Sequence, residues 1–219
     1  MYYDPERNDH GLAFDPFKAC VVPRPIGWIS TVSLDGVSNL APYSQFQNLS
    51  YSPPYVMFAA NQAGGGTRKD SVVNAEATGE FVYNMATYDL REAVNLSAQE
   101  VAPQVDEFVL AGVSKAPSFK VKPPRVAESP INFECVYQQT VRLPGKGIGT
   151  VDIVIGRVVM IHVKDEVILP DGHIDIVGIR PLARGGYYQY TTVDSVFEMI
   201  IPGDSKALLS GLEGRASEA

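Results

Sequence analysis

The stretch IGWISTVSLDGVSNLAPYSQF (residues 26–46) decides the reading of the fold. Asp35-Gly36 at its centre suits the positive φ angles of a tight hairpin turn, and β-branched and aromatic residues crowd both sides of it. Strands over 26–33 and 38–46 are therefore expected to pair antiparallel. The same short, β-branched or aromatic pattern recurs in YVMFAA (55–60) and EFVYNM (80–85), and again in INFECVYQQTVRL (131–143) and TVDIVIGRVVMIHV (150–163). The last two runs are joined by PGKGIG (144–149), a glycine-rich turn that predicts a long hairpin.

Two short helices interrupt the strands. One runs from about Lys69 to Ala77 and is closed by Gly79; the other spans about Asp89 to Ser97, where Leu90, Ala93, Val94 and Ser97 share a face. Between 100 and 130 the chain carries Pro103, Pro117, Pro123, Pro124 and Pro130, which reads as an extended surface excursion. The tail from Gly203, GDSKALLSGLEGRASEA, is small and polar and reads as a loose end. Many antiparallel strands with few helices point to one mainly β domain over 1–202, a closed or nearly closed barrel that removes exposed sheet edges.

Composition narrows the function classes. The 219 residues are 45% hydrophobic and 20% charged, as in an ordinary globular domain. With 25 acids against 18 bases the net charge is −7, and no basic stripe is present to meet a phosphate backbone, so nucleic acid is not expected as a partner. Cys20 and Cys135 lack metal or redox spacing and read as thiols of a reducing compartment. The N-terminus has neither a basic start nor an apolar core, and no window is long enough to span a membrane, so a cytoplasmic protein is expected. His162 within an apolar strand and His173 in a turn read as packing and solvated residues, with no ligand set around either. His10 sits in an N-terminal arm that could reach a neighbouring subunit.

Two stretches carry chemistry. GGGTRKDS (64–71) gathers glycines that let backbone N–H groups approach an anion, the charges of Arg68 and Lys69, and the hydroxyls of Thr67 and Ser71 at a helix start. It reads either as a phosphate clamp or as a surface loop before a capped helix, and it is not a Walker loop. SNLAPYSQFQN (38–48) places Asn39, Ser44, Gln45 and Asn48 in an apolar strand beside Pro42. Such groups suit the edge of a planar heterocycle, or an edge strand that exposes polar side chains.

Taken together, RPIGWISTVSLDGVSNLAPYSQFQNLSYSPPYVMFA (24–59), RKDSVVNAEATGEFVYNM (68–85), VDEFVLAGV (105–113), KPPRVAESPINFEC (122–135) and PLARGGYY (181–188) resemble the flavin reductase-like family, in its flavoredoxin-like branch. The resemblance covers roughly 14–190, with the motifs in the family's order. It implies an antiparallel FMN-binding split β-barrel with short flanking helices, a homodimer, and FMN held noncovalently near the dimer interface. The segments RPIGWIST and NLAPYS would flank the isoalloxazine through Trp28, Ser30, Thr31, Asn39, Ala41, Pro42, Tyr43 and Ser44. Arg68, Lys69, Asp70 and Ser71 would take the phosphate, Lys69 and Ser71 ahead of Arg68.

RKDS replaces the family's RKDT, which keeps the hydroxyl, and the extra glycines before Thr67 suggest a mobile loop. Trp28 either stacks near the ring or fills the core. Main-chain N–H groups around Ala41–Ser44 would meet the charge of a reduced flavin. The implied activity is hydride transfer from NADH or NADPH to FMN and onward to a flavin, protein or small-molecule acceptor. The alternative is a flavoredoxin-like electron carrier without reductase turnover.

Overall fold

The computed structural model describes residues 1–146 and 149–199. The domain end at 202 and the 203–219 tail lie outside the described residues, as does part of the PGKGIG turn.

The opening hairpin forms as its turn dictates. Strands β1 (Arg24–Pro25) and β2 (Gly27–Val32) lead into the turn, and β3 (Ser38–Tyr43) returns, with Gly27 opposite Tyr43 and Val32 opposite Ser38. Gly36 takes a φ of 85°, in the left-handed region that glycine enters without a Cβ clash, and the Ser33 and Val37 backbones close the turn at 2.9 Å. The predicted strand 38–46 is two elements. It breaks after Tyr43, and Phe46 opens β4 (Phe46–Tyr51), because the chain turns inward there to bury the Phe46 ring.

The remaining strands are β5 (Pro54–Asn61), β6 (Glu80–Met85), the short pair β7 (Lys115–Ala116) and β8 (Arg125–Val126), and the long strands β9 (Ile131–Leu143) and β10 (Val151–Val163). Seven strands form one antiparallel sheet in the order β3-β2-β6-β9-β10-β5-β4. Register shifts at Ile155/Gly156 and Val158/Met160 bend the β9–β10 ladder, and such bulges let a sheet curl on itself. Gly156 is required at the first: a Cβ there would lie 2.3 Å from the Phe81 ring. The outer strands β3 and β4 are consecutive in sequence and meet at Ser44–Gln45, where Ala59 N–H of β5 donates to the Gln45 carbonyl at 2.8 Å. The result is a split barrel. Phe46 stacks on Tyr83 inside it at 4.4 Å, Phe58 meets Phe81 edge-on, and Val72 and Ala75 of the helix α2 (Asp70–Thr78) close one side.

A second apolar cluster lies outside the barrel and corrects the reading of the proline-rich segment. Helix α4 (Glu107–Ala111) is capped by Asp106 and ended by Gly112 in the left-handed conformation, so the segment between the prolines has its own helix signals. It sends Phe108 into a core shared with Trp28, Leu40, Val94 of α3 (Arg91–Leu96), Val126 and Leu182. Asn84 ties the segment down, accepting from Val126 N–H at 2.8 Å while donating to the Trp28 carbonyl. The segment is therefore part of the core wall. Helices α1 (Phe17–Cys20) and α5 (Ile176–Ile179) flank a further sheet, ordered β1-β11-β12, in which β11 (Leu182–Gly186) and β12 (Gln189–Thr192) form a hairpin that the sequence reading did not anticipate. His162 is more than packing: its Nε2 lies 2.6 Å from the buried Glu134 carboxylate. Burial raises that carboxyl, but the Phe119 and Lys120 N–H groups and His162 together hold it below the usual range. Among the described residues no helix is long and apolar enough to cross a membrane.

Candidate functional site

The loop before α2 is an ordered turn. Ala63 N–H donates to the Thr67 carbonyl, Gly66 N–H donates back to Ala63, and Gly65 and Gly66 have φ of 85° and 79°. The turn delivers Lys69 as the N-cap residue of α2 without a side-chain cap, leaving that end open to an acceptor. Beside it, β3 supplies Asn39, Ala41, Pro42 and Tyr43, and the segment after α3 supplies Ser97–Val101. Together with Thr67–Ser71 and Glu107 they line a cleft of about 220 Å³. Eight of the residues expected at a ligand thus converge: Asn39, Ala41, Pro42, Tyr43, Arg68, Lys69, Asp70 and Ser71.

The other four do not line it. Trp28 is fully buried and donates its indole N–H to Ser97 Oγ at 2.9 Å, so it fills the core between the barrel and α3 and offers no face to a ligand. Ser30 is fully buried and donates to the Pro124 carbonyl. Thr31, also buried, donates to Asn39 Oδ1, while Ser44 turns to Gln45. Trp28, Ser30 and Thr31 stand behind the cleft because β2 lies one strand inward from the open edge, and Ser44 lies past the end of β3.

The two adjacent cations have different jobs. Arg68 forms a bidentate pair with Glu76 at 2.6 and 2.7 Å, and its Nε donates to Asp152 at 3.0 Å, where the Asp152 side chain is 1% exposed. The Glu76 hydrogen bonds push the guanidinium pKa up. Burial raises the Asp152 carboxyl, but Arg68 and Gln62 outweigh it and leave it below the usual carboxylate range. Arg68 therefore clamps α2 to β10. Lys69 instead reaches over the cleft to Glu100 at 2.5 Å, and the same carboxylate accepts from Gly64 N–H at 3.2 Å. Lysine and backbone donor converge on one oxyanion, and the lysine pulls the Glu100 carboxyl down.

Deeper in, Glu107 is 4% exposed and accepts from Asn39 Nδ2 at 2.9 Å and Leu40 N–H at 3.1 Å. Burial pushes its carboxyl up, and burial likewise raises Asp70 against the pull of Lys69. Ser71 Oγ is buried and donates to Asn39 Oδ1 at 2.7 Å, so its proton is already committed. The Leu40 bond also fixes which main-chain groups face outward. Because Leu40 N–H points off the free edge of β3, alternation turns the Ala41 and Tyr43 N–H groups inward to β2, and Pro42 has none. The outward groups are the Leu40 and Pro42 carbonyls. The sequence reading expected N–H donors around Ala41–Ser44; within β3, which ends at Tyr43, no such row faces outward.

Glu107 and Glu100 escaped the sequence reading. Glu107 had a faint signal, an acid buried in the first turn of an otherwise apolar helix within VDEFVLAGV, but nothing local points across 68 residues to Asn39.

Comparison with known proteins agrees with this architecture. The model of the flavin reductase like domain matches residues 19–178. An uncharacterized protein of Aquifex aeolicus is 36% identical over 169 residues, covering 77% of this chain and 84% of that protein. Among solved structures, nitrilotriacetate monooxygenase component B from Bacillus cereus superposes with a TM-score of 0.82 at 29% identity, over 91% of this chain and 98% of that one. Flavoredoxin of Desulfovibrio vulgaris (Miyazaki F) shares the fold at a TM-score of 0.67 and 16% identity, over 85% and 94%. The split-barrel fold and the family match place the chain in the flavin reductase-like class of oxidoreductases. The chain belongs to the flavin reductase like family.

Proposed function

We propose that the cleft holds FMN noncovalently and that the protein is an NAD(P)H-dependent oxidoreductase. The observation that carries the reading is the convergence of Lys69 Nζ and Gly64 N–H on the Glu100 carboxylate: this corner of the cleft already binds an oxyanion, and a ribityl phosphate presents the same chemistry. The donor set fits the cofactor. Lys69 and the uncapped start of α2 take the phosphate, displacing Glu100, and the outward Leu40 and Pro42 carbonyls accept from the ring's imide N–H. Glu107 holds Asn39 and Leu40 in place. The chemistry FMN supplies when bound is acceptance of two electrons from NADH or NADPH and their passage to a flavin, protein or small-molecule acceptor.

One protomer encloses about 220 Å³, less than the roughly 300 Å³ at which ligand pockets begin. A second copy completing the wall accounts for this, and we therefore read the protein as a homodimer. Both cysteines are free thiols, which suits a reducing cytoplasm.

The test is titration with FMN followed by anaerobic mixing with NADH or NADPH. Saturable FMN binding and rapid bleaching at 450 nm (approximately the oxidised flavin band) are expected of a reductase. Binding with only slow bleaching identifies an electron carrier, and absence of FMN binding overturns the reading.

A further inference from the structure

Arg125 of β8, His162 of β10 and Lys164 just beyond it wall a cavity of about 300 Å³. That volume stands at the lower end of small-molecule sites. The cavity shares no residue with the cleft described above, and three strands, β2, β6 and β9, lie between β10 and β3. Pro130 and Ile161 give it an apolar side.

Its wall is basic in a chain of net charge −7. Among the described residues no carboxylate belongs to the lining. The chain from Ala116 to Ala127, which includes Arg125, carries Lys120 and Lys122 as well and no acid. Acids of the neighbouring segments are engaged elsewhere. The Glu128 carboxylate accepts the Ser114 N–H at 2.9 Å, and Glu134 is buried behind His162, where it also accepts from the Phe119 and Lys120 N–H groups. Glu166 is well exposed and stands 3.9 Å from Lys164 Nζ, beyond hydrogen-bond reach.

Each cation is held by neutral oxygens and keeps donors to spare. Arg125 Nε and Nη2 both donate to the Pro117 carbonyl, at 3.1 and 3.0 Å, and Nη1 is 3.4 Å from Asn132 Oδ1. A guanidinium has more N–H donors than these contacts use, so the grip fixes the group and leaves donors for a ligand. Lys164 Nζ donates to the Glu128 carbonyl at 3.1 Å, which leaves further ammonium protons. His162 has its Nε2 on Glu134 and its ring edge-to-face with Phe119, centroids 5.0 Å apart. Its Nδ1 makes no hydrogen bond among the described residues. The uncharged polar side chains of the wall are already committed: Ser129 Oγ donates to the Met85 carbonyl, and Asn132 Nδ2 donates to Asn84 Oδ1. What the cavity offers a ligand is therefore its three basic side chains.

We infer that this cavity is a second ligand site, for a phosphate group held between the Arg125 guanidinium and the Lys164 ammonium with His162 Nδ1 at the remaining oxygen. A phosphate presents an oxygen to each of the basic groups, where a carboxylate has too few. His162 Nδ1 accepts from a protonated phosphate oxygen when its ring is neutral and donates when the ring is charged. An organic body on the phosphate packs on Pro130 and Ile161. The site stands independently of flavin binding in the other cleft.

Calorimetric titration of the intact protein with phenyl phosphate, run with and without an equivalent of FMN, tests it; inorganic phosphate and benzoate are the comparison ligands. Saturable binding of phenyl phosphate is expected, unaffected by FMN, with benzoate about tenfold weaker or more. Tighter binding of phenyl phosphate than of inorganic phosphate marks a phosphate monoester as the natural ligand, and equal or tighter binding of inorganic phosphate marks free phosphate. Arg125→Ala and Lys164→Ala should each weaken binding about tenfold or more through loss of a charge-assisted bond. Lys122→Ala, at an exposed base outside the lining, should change it less than about twofold. Such a loss in either cavity variant, with Lys122→Ala unaffected, supports the site, and Lys164→Ala decides alone if the arginine variant does not fold. No saturable binding of phenyl phosphate, equal binding of benzoate, loss of binding when FMN is present, an equal loss in Lys122→Ala, or unchanged affinity in the folded cavity variants overturns it.

Discussion

Replacing Arg68 with alanine separates structure from ligand binding in a motif where both have been expected. The guanidinium makes three contacts, two to Glu76 and one to Asp152. The Glu76 side chain is 28% exposed, and water can replace much of what it loses; Asp152 at 1% cannot be rehydrated. Asp152 would keep Gln62 Nε2 at 3.2 Å, with Arg142 at 3.8 Å beyond hydrogen-bond reach of the other oxygen. Breaking a buried pair costs about 3–5 kcal/mol, and the partial exposure of Arg68 brings the expected loss to about 2–4 kcal/mol. For a domain of this size that is a fall in Tm of about 4–16 °C.

The pH dependence carries a sign. In the parent, the lowered Asp152 and Glu76 pKa values contribute stability that is present above their unfolded values and lost as pH falls through the folded ones. In Arg68→Ala, burial without the guanidinium raises Asp152, so the deficit is largest at pH 7 and narrows as the pH drops through and below the ordinary aspartate range, about 4. Thermal melts of both proteins from about pH 7 to about pH 3, with FMN and riboflavin titrations at neutral pH, measure this. An unchanged Tm combined with selective loss of FMN over riboflavin would refute the structural role and make Arg68 a phosphate ligand.

Lys69→Ala should behave in the opposite way. Loss of a charge-assisted bond to phosphate, about 1.5–3 kcal/mol, weakens FMN binding about 10- to 150-fold, toward the lower figure because Glu100 must first yield the lysine. Riboflavin affinity should be unchanged, and equal weakening of both ligands in a fluorescence titration would remove Lys69 from the phosphate. Gly27→Ala would set a Cβ 2.5 Å from the Phe46 ring, which is stacked on Tyr83 and cannot swing away, so overpacking should cost about 1–3 kcal/mol in a denaturant melt. A neutral result would mean that Phe46 repacks. Phe108→Ala should cost about 3–5 kcal/mol, since the ring is 1% exposed in the cluster outside the barrel. A surface excursion would lose almost nothing on the same change.

The local parts of this protein were legible along the chain. Asp35-Gly36 imposes a turn through its own φ angles, Gly79 ends α2 through its own left-handed conformation, and the long β-branched runs of β9 and β10 leave little choice but extended chain. These signals act over a few residues, and sequence displays them directly. The run of antiparallel strands with few helices already pointed to a barrel, and resemblance of the motifs added its split-barrel family and expected cofactor. Tertiary structure decided what each residue near the cleft is free to do. Arg68 and Lys69 are neighbours with like charge, yet one is bound to Asp152, 84 residues on, and the other leans over the cleft to Glu100. Trp28, read as ring-stacking or core, is core because α3 and α4 fold over it, and Ser71 loses its donor to an asparagine 32 residues away. The β11–β12 hairpin was hidden in a short glycine-rich run whose pairing with β1 is a long-range contact. Burial and hydrogen-bond partners depend on which distant segments meet, and that is set when the sheet curls and its loops pack, a step no local pattern records.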